Sequence, residues 1–150
     1  MIMKATVKQV VDCYKALGEA KVTKLEEGEV VKIVKARKAM RAIANDFDDF
    51  CKDAQEKTKP ENYEKLAELN NHAIERWSSD KSYKPTDEEN EAIKILVEAK
   101  VKERKMVQEE ESREVEVELE SYKLKEDSSI KMLTENSWSV NKLDAIELVL

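Results

Sequence analysis

Residues 29–57 read EVVKIVKARKAMRAIANDFDDFCKDAQEK and carry the strongest structural signal in the chain, because their apolar residues recur at steps of three and four. That spacing places them on one face of a helix. Sustained over about three heptads, it is typical of a coiled coil or an antiparallel helix pair. We call this face the helix seam, and its members are Ile33, Ala36, Met40, Ile43, Phe47, Phe50 and Ala54.

The composition around the seam favours the same fold class. Charged residues make up 40% of the 150-residue chain, which has only two Gly and two Pro. This profile is typical of long solvated helices and not of a turn-rich β fold. The sequence therefore predicts one mostly α domain over residues 1–150, an antiparallel helical bundle or coiled-coil-like helix pair with a small two-stranded β element.

Capping signals set the predicted helix boundaries. Thr6 with Gln9, and Thr86 with Glu89, have the spacing of a capping box, in which each residue satisfies a backbone donor of the other. Thr58-Lys-Pro-Glu61 is a further candidate start, since Pro is tolerated in a first helical turn. Asn141 is a candidate N-cap for the last helix. The predicted helices are about 6–18, 29–57, 61–78, 87–111 and 141–149, with a short helical candidate at 130–133.

Charge order predicts how two of these helices pair. The helix at 29–57 is basic early and acidic late, and the helix at 87–111 repeats that order. Antiparallel packing sets opposite charges side by side. Each exposed pair contributes only about 0.2–1 kcal/mol, so the charges choose the direction and the apolar seams supply the stability.

Residues 113–124, REVEVELESYKL, break the helical pattern. Glutamates alternate with aliphatic residues, which indicates a strand at about 114–120. A helix through Val115, Leu119 and Tyr122 stays open, but it sets like charges four residues apart. A lone strand needs a partner, and the only other short extended candidate is KVTKL at 21–25. The outer face, Glu114, Glu116, Glu118 and Glu120, is the candidate site for a partner protein with a basic surface, or alternatively a charged edge that prevents accidental pairing.

Few residues in the chain suggest chemistry. His72 projects nearly opposite Tyr63, on the predicted solvent face, and no Cys or Ser is placed to pair with it. Cys13 and Cys51 flank apolar stripes and are interpreted as core thiols, reduced in a cytoplasmic setting. No glycine-rich phosphate loop, H-E-x-x-H or calcium loop is present. The sequence therefore predicts a protein that is not an enzyme, without catalytic residues, cofactor or metal.

Three other features have both a functional and a structural interpretation. Asp46, Asp48 and Asp49 are the nearest approach to a carboxylate metal site, although a solvated helix face explains them more simply. The basic run KARKAMR at 35–41 suggests phosphate contacts, but aspartates follow it and reduce its field. Asn70 and Glu103 lie on apolar stripes, where a polar residue either sets helix register or marks the point where the stripe leaves the core.

Several segments together resemble a family of small bacteriophage and prophage proteins of unknown function. They are the opening VKQVVDCYKALGEA at 7–20, the KVTKL segment before a long helix, the EVEVELE run at 114–120, and a short leucine-containing C-terminal helix. The resemblance implies a viral or prophage origin and a helical body with a small β element. It implies no catalytic residues.

The function expected from these observations is protein binding. The chain is predicted to be a non-enzymatic, phage-derived interaction or assembly protein in the host cytoplasm, whose partner is a viral assembly component or a host factor with a basic surface. An acidic inhibitor of a host defence nuclease is the alternative. Apolar residues beyond the seam also predict a homodimer. The net charge of −6 argues against nucleic-acid binding, and no apolar run reaches the ~20 residues of a membrane span.

Overall fold

Most of the chain is helical, as the composition predicts. The computed structural model describes residues 2–150, which contain six α-helices and one two-stranded antiparallel sheet. The predicted mostly α class with a small β element is confirmed. Each described helix is too short or too polar to cross a bilayer. The helices are α1 (Val7–Glu19), α2 (Glu27–Thr58), α3 (Tyr63–Ser79), α4 (Asp87–Glu111), α5 (Glu126–Glu135) and α6 (Val140–Ala145), and the strands are β1 (Met3–Thr6) and β2 (Glu114–Val117).

The described residues form two compact units where the sequence predicts one domain. The first unit comprises residues 2–49 and 109–150, and the second comprises Phe50–Gln108. The first contains both strands, α1, most of α2 and the chain from β2 onward. The second contains the last turns of α2, all of α3 and most of α4.

In the first unit, the N-terminal half of the seam lies in the main apolar core. Ile33 and Met40 are buried there. Ile43 is half-buried and packs against this core and against a small second cluster, where the half-buried Phe47 also packs. Phe50 is half-buried too, but it belongs to the second unit. The rest of this core comes from α1, the strands and the chain after β2. The antiparallel pairing of 29–57 with 87–111 stays a prediction from charge order.

The second unit has a thin core. Each of its three helices contributes one buried alanine, namely Ala54, Ala73 and Ala92. Four larger apolar side chains of this unit, Ile74, Trp77, Val97 and Val101, are more than half exposed.

Two of the predicted helix starts are confirmed in atomic detail, and a third is wrong. Thr6 and Gln9 exchange backbone and side-chain hydrogen bonds at 2.9 and 3.2 Å, as a capping box requires. Thr86 and Glu89 do so at 2.9 and 3.1 Å. Thr58 instead ends α2, where its hydroxyl donates back to the Ala54 carbonyl at 2.8 Å. The next helix, α3, begins at Tyr63.

The sheet contains a strand partner that the sequence analysis missed. β2 pairs antiparallel with β1, with Lys4 opposite Glu116 and Ala5 opposite Val115. The predicted partner at 21–25 forms a turn instead. Its backbone is bonded elsewhere: Asn136 accepts from Lys21 N at 2.7 Å and Glu135 accepts from Lys24 N at 3.2 Å. The predicted strand at 114–120 also ends early, at Val117.

The C-terminal segment differs from the single helix predicted at 141–149. α6 ends at Ala145, and a 3-10 turn covers Glu147–Val149. Ile146, Leu148 and Val149 are all buried in the core. A continuous α-helix would point residues 146 and 148 about 160° apart. The tighter turn lets all three side chains enter the core, and Leu124 N bonds to the Val149 carbonyl at 2.7 Å. α5, predicted only at 130–133, extends over ten residues.

Candidate functional site

The glutamates of the predicted partner-binding face do not form one row. Glu114 and Glu116 are exposed on β2, with the Lys4 ammonium 4.0 Å from the Glu114 carboxylate. Glu118 lies beyond the strand, half-buried, and accepts weakly from Ser121 N at 3.4 Å. Glu120 lies on the 3-10 turn, 3.6 Å from the Lys123 ammonium. The alternating pattern therefore gives an acidic face only at Glu114 and Glu116. Lys4 neutralises part of the negative charge there.

His72 has a partner that the helical projection did not reveal. Its Nδ1 lies 2.9 Å from Oε2 of Glu89, and the Glu89 side chain is only 2% exposed. Glu89 also accepts from Tyr83 Oη at 2.5 Å. The Thr86 backbone N–H, followed by the Tyr83 and His72 hydrogen bonds, lowers the pKa of Glu89 to about 2. A buried carboxylate thus anchors α4 to α3.

This cluster lacks the nucleophile that a carboxylate–histidine pair needs for acyl transfer. The other ring nitrogen of His72, Nε2, lies 3.5 Å from Nε of Arg76, a donor, which leaves Nδ1 as the nitrogen that donates to Glu89. The group that faces Nε2 is therefore a guanidinium donor and not a hydroxyl or thiol nucleophile. The arrangement supports a structural role, in which His72, Tyr83 and Thr86 together hold the buried carboxylate.

Removing the α4 cap should destabilise the second unit. Thr86→Ala deletes the hydroxyl that accepts from Glu89 N, and loss of such a cap costs about 1 kcal/mol. We expect a lower melting temperature by circular dichroism. Thr86→Ser keeps the hydroxyl and is the matched control. Equal melting temperatures for the Ala and Ser variants would show that the capping box contributes nothing.

The remaining candidate chemical groups are not brought together. Asp46, Asp48 and Asp49 are exposed, and no three His, Cys, Asp or Glu side chains in residues 2–150 converge as metal ligands. Cys13 is buried, and burial raises the pKa of its thiol to about 12. Cys51 is half-buried. A thiol with so high a pKa is a poor nucleophile at neutral pH, which agrees with the predicted core role of Cys13.

The first unit has an open groove between the end of α1 and the N-terminal half of α2, which we call the arginine groove. Its volume is about 220 Å³. Val34, which lines it, is 61% exposed although it is a large aliphatic side chain. In the sequence, this stretch of α2 belongs to the helix seam and to the basic run at 35–41, and neither pattern indicates a groove. The lining residues are Leu17, Gly18, Ala20, Val22, Val30, Ile33, Val34, Arg37 and Arg41.

Arg37 is held in a fixed position at this groove. Its guanidinium carbon lies 4.2 Å from the centroid of the Tyr14 ring, and its Nε donates to the Tyr14 carbonyl at 3.3 Å. It also lies against Gly18, where an added Cβ would come within 2.7 Å of Nη2. In the sequence, the only signal for this contact is a glycine placed one helical turn after Tyr14.

A second groove, of about 370 Å³, lies wholly in the second unit. Asn70 and Glu103, the two polar residues noted on apolar stripes, both line it and are half-buried. Its rim carries both signs of charge, and Lys100 is paired with Glu103 at 3.4 Å. Asn70 and Glu103 therefore lie where the apolar stripes leave the core. The mixed, internally paired charge gives no indication of a ligand.

Comparison with protein-family models, with curated proteins and with solved structures finds no match to this chain.

Proposed function

We propose that this chain is a non-enzymatic protein-binding protein whose binding surface is the arginine groove. The observation that carries the proposal is an open apolar groove whose aliphatic lining includes the exposed Val34. Burying a valine side chain contributes about 1.5–3 kcal/mol, so an apolar partner that covers Val34 gains affinity there. Val31, next to it on α2, is also exposed, at 43%.

The shape of the groove fits a segment of polypeptide. Its α2 wall is formed by Val30, Ile33, Val34, Arg37 and Arg41, which follow one helical face at steps of three and four. From Val30 to Arg41 this wall is about 16 Å long at 1.5 Å per residue. A groove three turns long matches the recognition mode in which an amphipathic helix lays its apolar face between two helices.

The other predicted roles have less geometric support. Binding of a basic partner by Glu114, Glu116, Glu118 and Glu120, and inhibition of a defence nuclease, both need a continuous acidic surface. Only the first two glutamates are exposed side by side, and Lys4 adjoins them. Viral origin, an assembly role, cytoplasmic location and self-association stay predictions from the sequence.

A selection experiment tests the proposed function. A displayed library of peptides long enough to span the groove is panned against the protein, and the selected peptides are then measured with two variants. Val34→Asp places a carboxylate in the groove at an exposed position, so folding is kept. Affinity should fall at least about tenfold, the equivalent of about 1.4 kcal/mol.

The matched control is Val101→Asp, which makes the same change at a 56% exposed valine of the second unit. It should bind the selected peptides as the parent does. If the selection yields no binder, or if Val34→Asp binds as tightly as Val101→Asp, the groove is not the binding surface.

A further inference from the structure

The arginine groove carries charge of one sign only. Its lining includes two arginines and no Asp or Glu. Lys35 and Lys38, exposed on the same helix, add to this charge, and neither forms an ion pair in the described chain. The protein as a whole has a net charge of −6. The groove is therefore a local cationic site on an acidic molecule.

Neither arginine of the groove is paired with a carboxylate in the part of the chain that the structure describes. By contrast, Arg113 forms an ion pair with Glu110, in which the guanidinium nitrogen lies 2.8 Å from the carboxylate oxygen. Arg37 and Arg41 are also four residues apart on one helix face, where like charges repel each other. An anionic group bound between them relieves that repulsion.

The guanidinium of Arg37 is oriented before any ligand arrives. The Tyr14 ring covers one face of the guanidinium, and the Tyr14 carbonyl accepts a hydrogen bond from Nε. Because Gly18 has no side chain, Nη2 can lie close to the backbone of α1. Its two terminal nitrogens keep their hydrogen-bond donors, which match the two oxygens of a carboxylate. Because its position is already fixed, little side-chain entropy is lost on binding.

We infer that the arginine groove binds an acidic amphipathic segment of a partner protein, whose aliphatic side chains cover Val30 and Val34 while its Asp or Glu side chains bind Arg37 and Arg41. This inference rests on the proposed function and adds the chemistry of the partner. The aliphatic lining selects a polypeptide over a polyphosphate, since a phosphate backbone has no apolar side chains to bury there. Gly18 is a positioning residue for Arg37.

The charge requirement is tested with a selected peptide and a copy in which every Asp and Glu is changed to Asn or Gln. The parent should bind the acidic peptide about tenfold or more tightly than its amide copy. Arg37→Gln with Arg41→Gln should abolish that preference and remove most of the salt dependence of binding. Lys35→Gln, outside the groove, should change affinity less than threefold.

The positioning role is tested with a matched pair of glycine variants. In Gly18→Ala the new Cβ forces the Arg37 guanidinium to move, whereas at Gly28 a Cβ meets nothing within 4 Å. Both changes place alanine within a helix and keep the protein folded, as circular dichroism should confirm. Gly18→Ala should weaken the acidic peptide about tenfold and leave the amide copy unchanged, while Gly28→Ala should bind both as the parent does.

The outcomes separate this inference from the proposed function. If Val34→Asp loses binding but the parent binds the acidic and amide peptides with equal affinity, the proposed binding function stands. The inference that the partner is acidic is then wrong. A single-stranded oligonucleotide that binds as tightly as the peptide would overturn the polypeptide partner. So would light scattering that shows a dimer of the parent and a monomer of Val34→Asp, since a second copy of this chain would then occupy the groove. Unchanged binding in Gly18→Ala would overturn the role of Gly18.

Discussion

Replacing Met40 with aspartate is expected to unfold the first unit. The Met40 side chain is fully buried, in a core that includes Ile33 from the same helix and Met132 from α5. The change removes the burial of a large apolar side chain and places an unpaired charge among apolar groups. The combined cost, at least about 4 kcal/mol, approaches the 5–15 kcal/mol by which domains are usually stable.

Circular dichroism and hydrogen exchange measure this effect. Met40→Asp should lose most of its cooperative melting transition, and amides of α1 and α5 should lose protection. Met40→Leu, which conserves volume, should cost less than about 1.5 kcal/mol. Val34→Asp introduces the same charge on the exposed side of α2 and should melt close to the parent. A Met40→Asp protein that melts with the parent would show that the seam is not part of the core.

Replacing Glu29 with glutamine is expected to give the second largest loss of stability. The Glu29 side chain is 3% exposed, and its Oε1 accepts from Lys125 N at 2.8 Å and from Ser128 Oγ at 2.7 Å. Lys32 Nζ lies 2.9 Å from its other oxygen. Lys125 precedes α5 and has no side-chain cap of its own. A carboxylate from α2 therefore caps α5, where the helix dipole favours negative charge.

Glutamine at this position keeps one acceptor but loses the charge and turns an amide donor toward the Lys32 ammonium. Hydrogen bonds to a charged group contribute about 1.5–3 kcal/mol, so we expect a loss of about 2–3 kcal/mol. Chemical denaturation of the parent and Glu29→Gln measures it. Glu27→Gln changes an exposed glutamate in the first turn of the same helix and should cost a few tenths of a kcal/mol.

Glu29 also gives the first unit a defined acid sensitivity. Burial alone would raise its pKa, but the hydrogen bonds from Lys32, Lys125 and Ser128 outweigh burial and lower it to about 2. A carboxyl group whose pKa is lowered by folding stabilises the folded state at any pH above the pKa of the unfolded chain, near 4.3. That contribution to the free energy of unfolding is lost as the pH falls toward 2. The parent should therefore lose more stability than Glu29→Gln between pH 4.5 and 2. Parallel stability curves for the two proteins over this range would contradict the prediction.

Local residue patterns were sufficient for some parts of the candidate sites. The spacing of Val117 and Leu119 predicts inward side chains, and both are buried. The capping pair Thr86 and Glu89 fixes the start of α4. The same pair gave no hint that Glu89 also binds His72, because His72 lies 17 residues earlier, on a different helix. Tyr83 is only six residues before Glu89, but it lies in an irregular segment whose side-chain directions no helical or strand period predicts. Contacts between neighbours in sequence can be predicted; partners brought in by the fold cannot.

The four longer helices α1 to α4, the alternation of residues 114–117 and the apolar face of each of these segments follow from the sequence alone. These properties depend on the 3.6- and 2-residue periods and on hydrogen bonds between residues three or four apart. Three other features depend on long-range contacts: Met3–Thr6 completes the sheet, Glu29 caps α5, and Gly18 makes room for Arg37. Each of these joins segments distant in sequence or on different helices. Such contacts are selected by the total burial and hydrogen bonding of the folded chain, which no local pattern records.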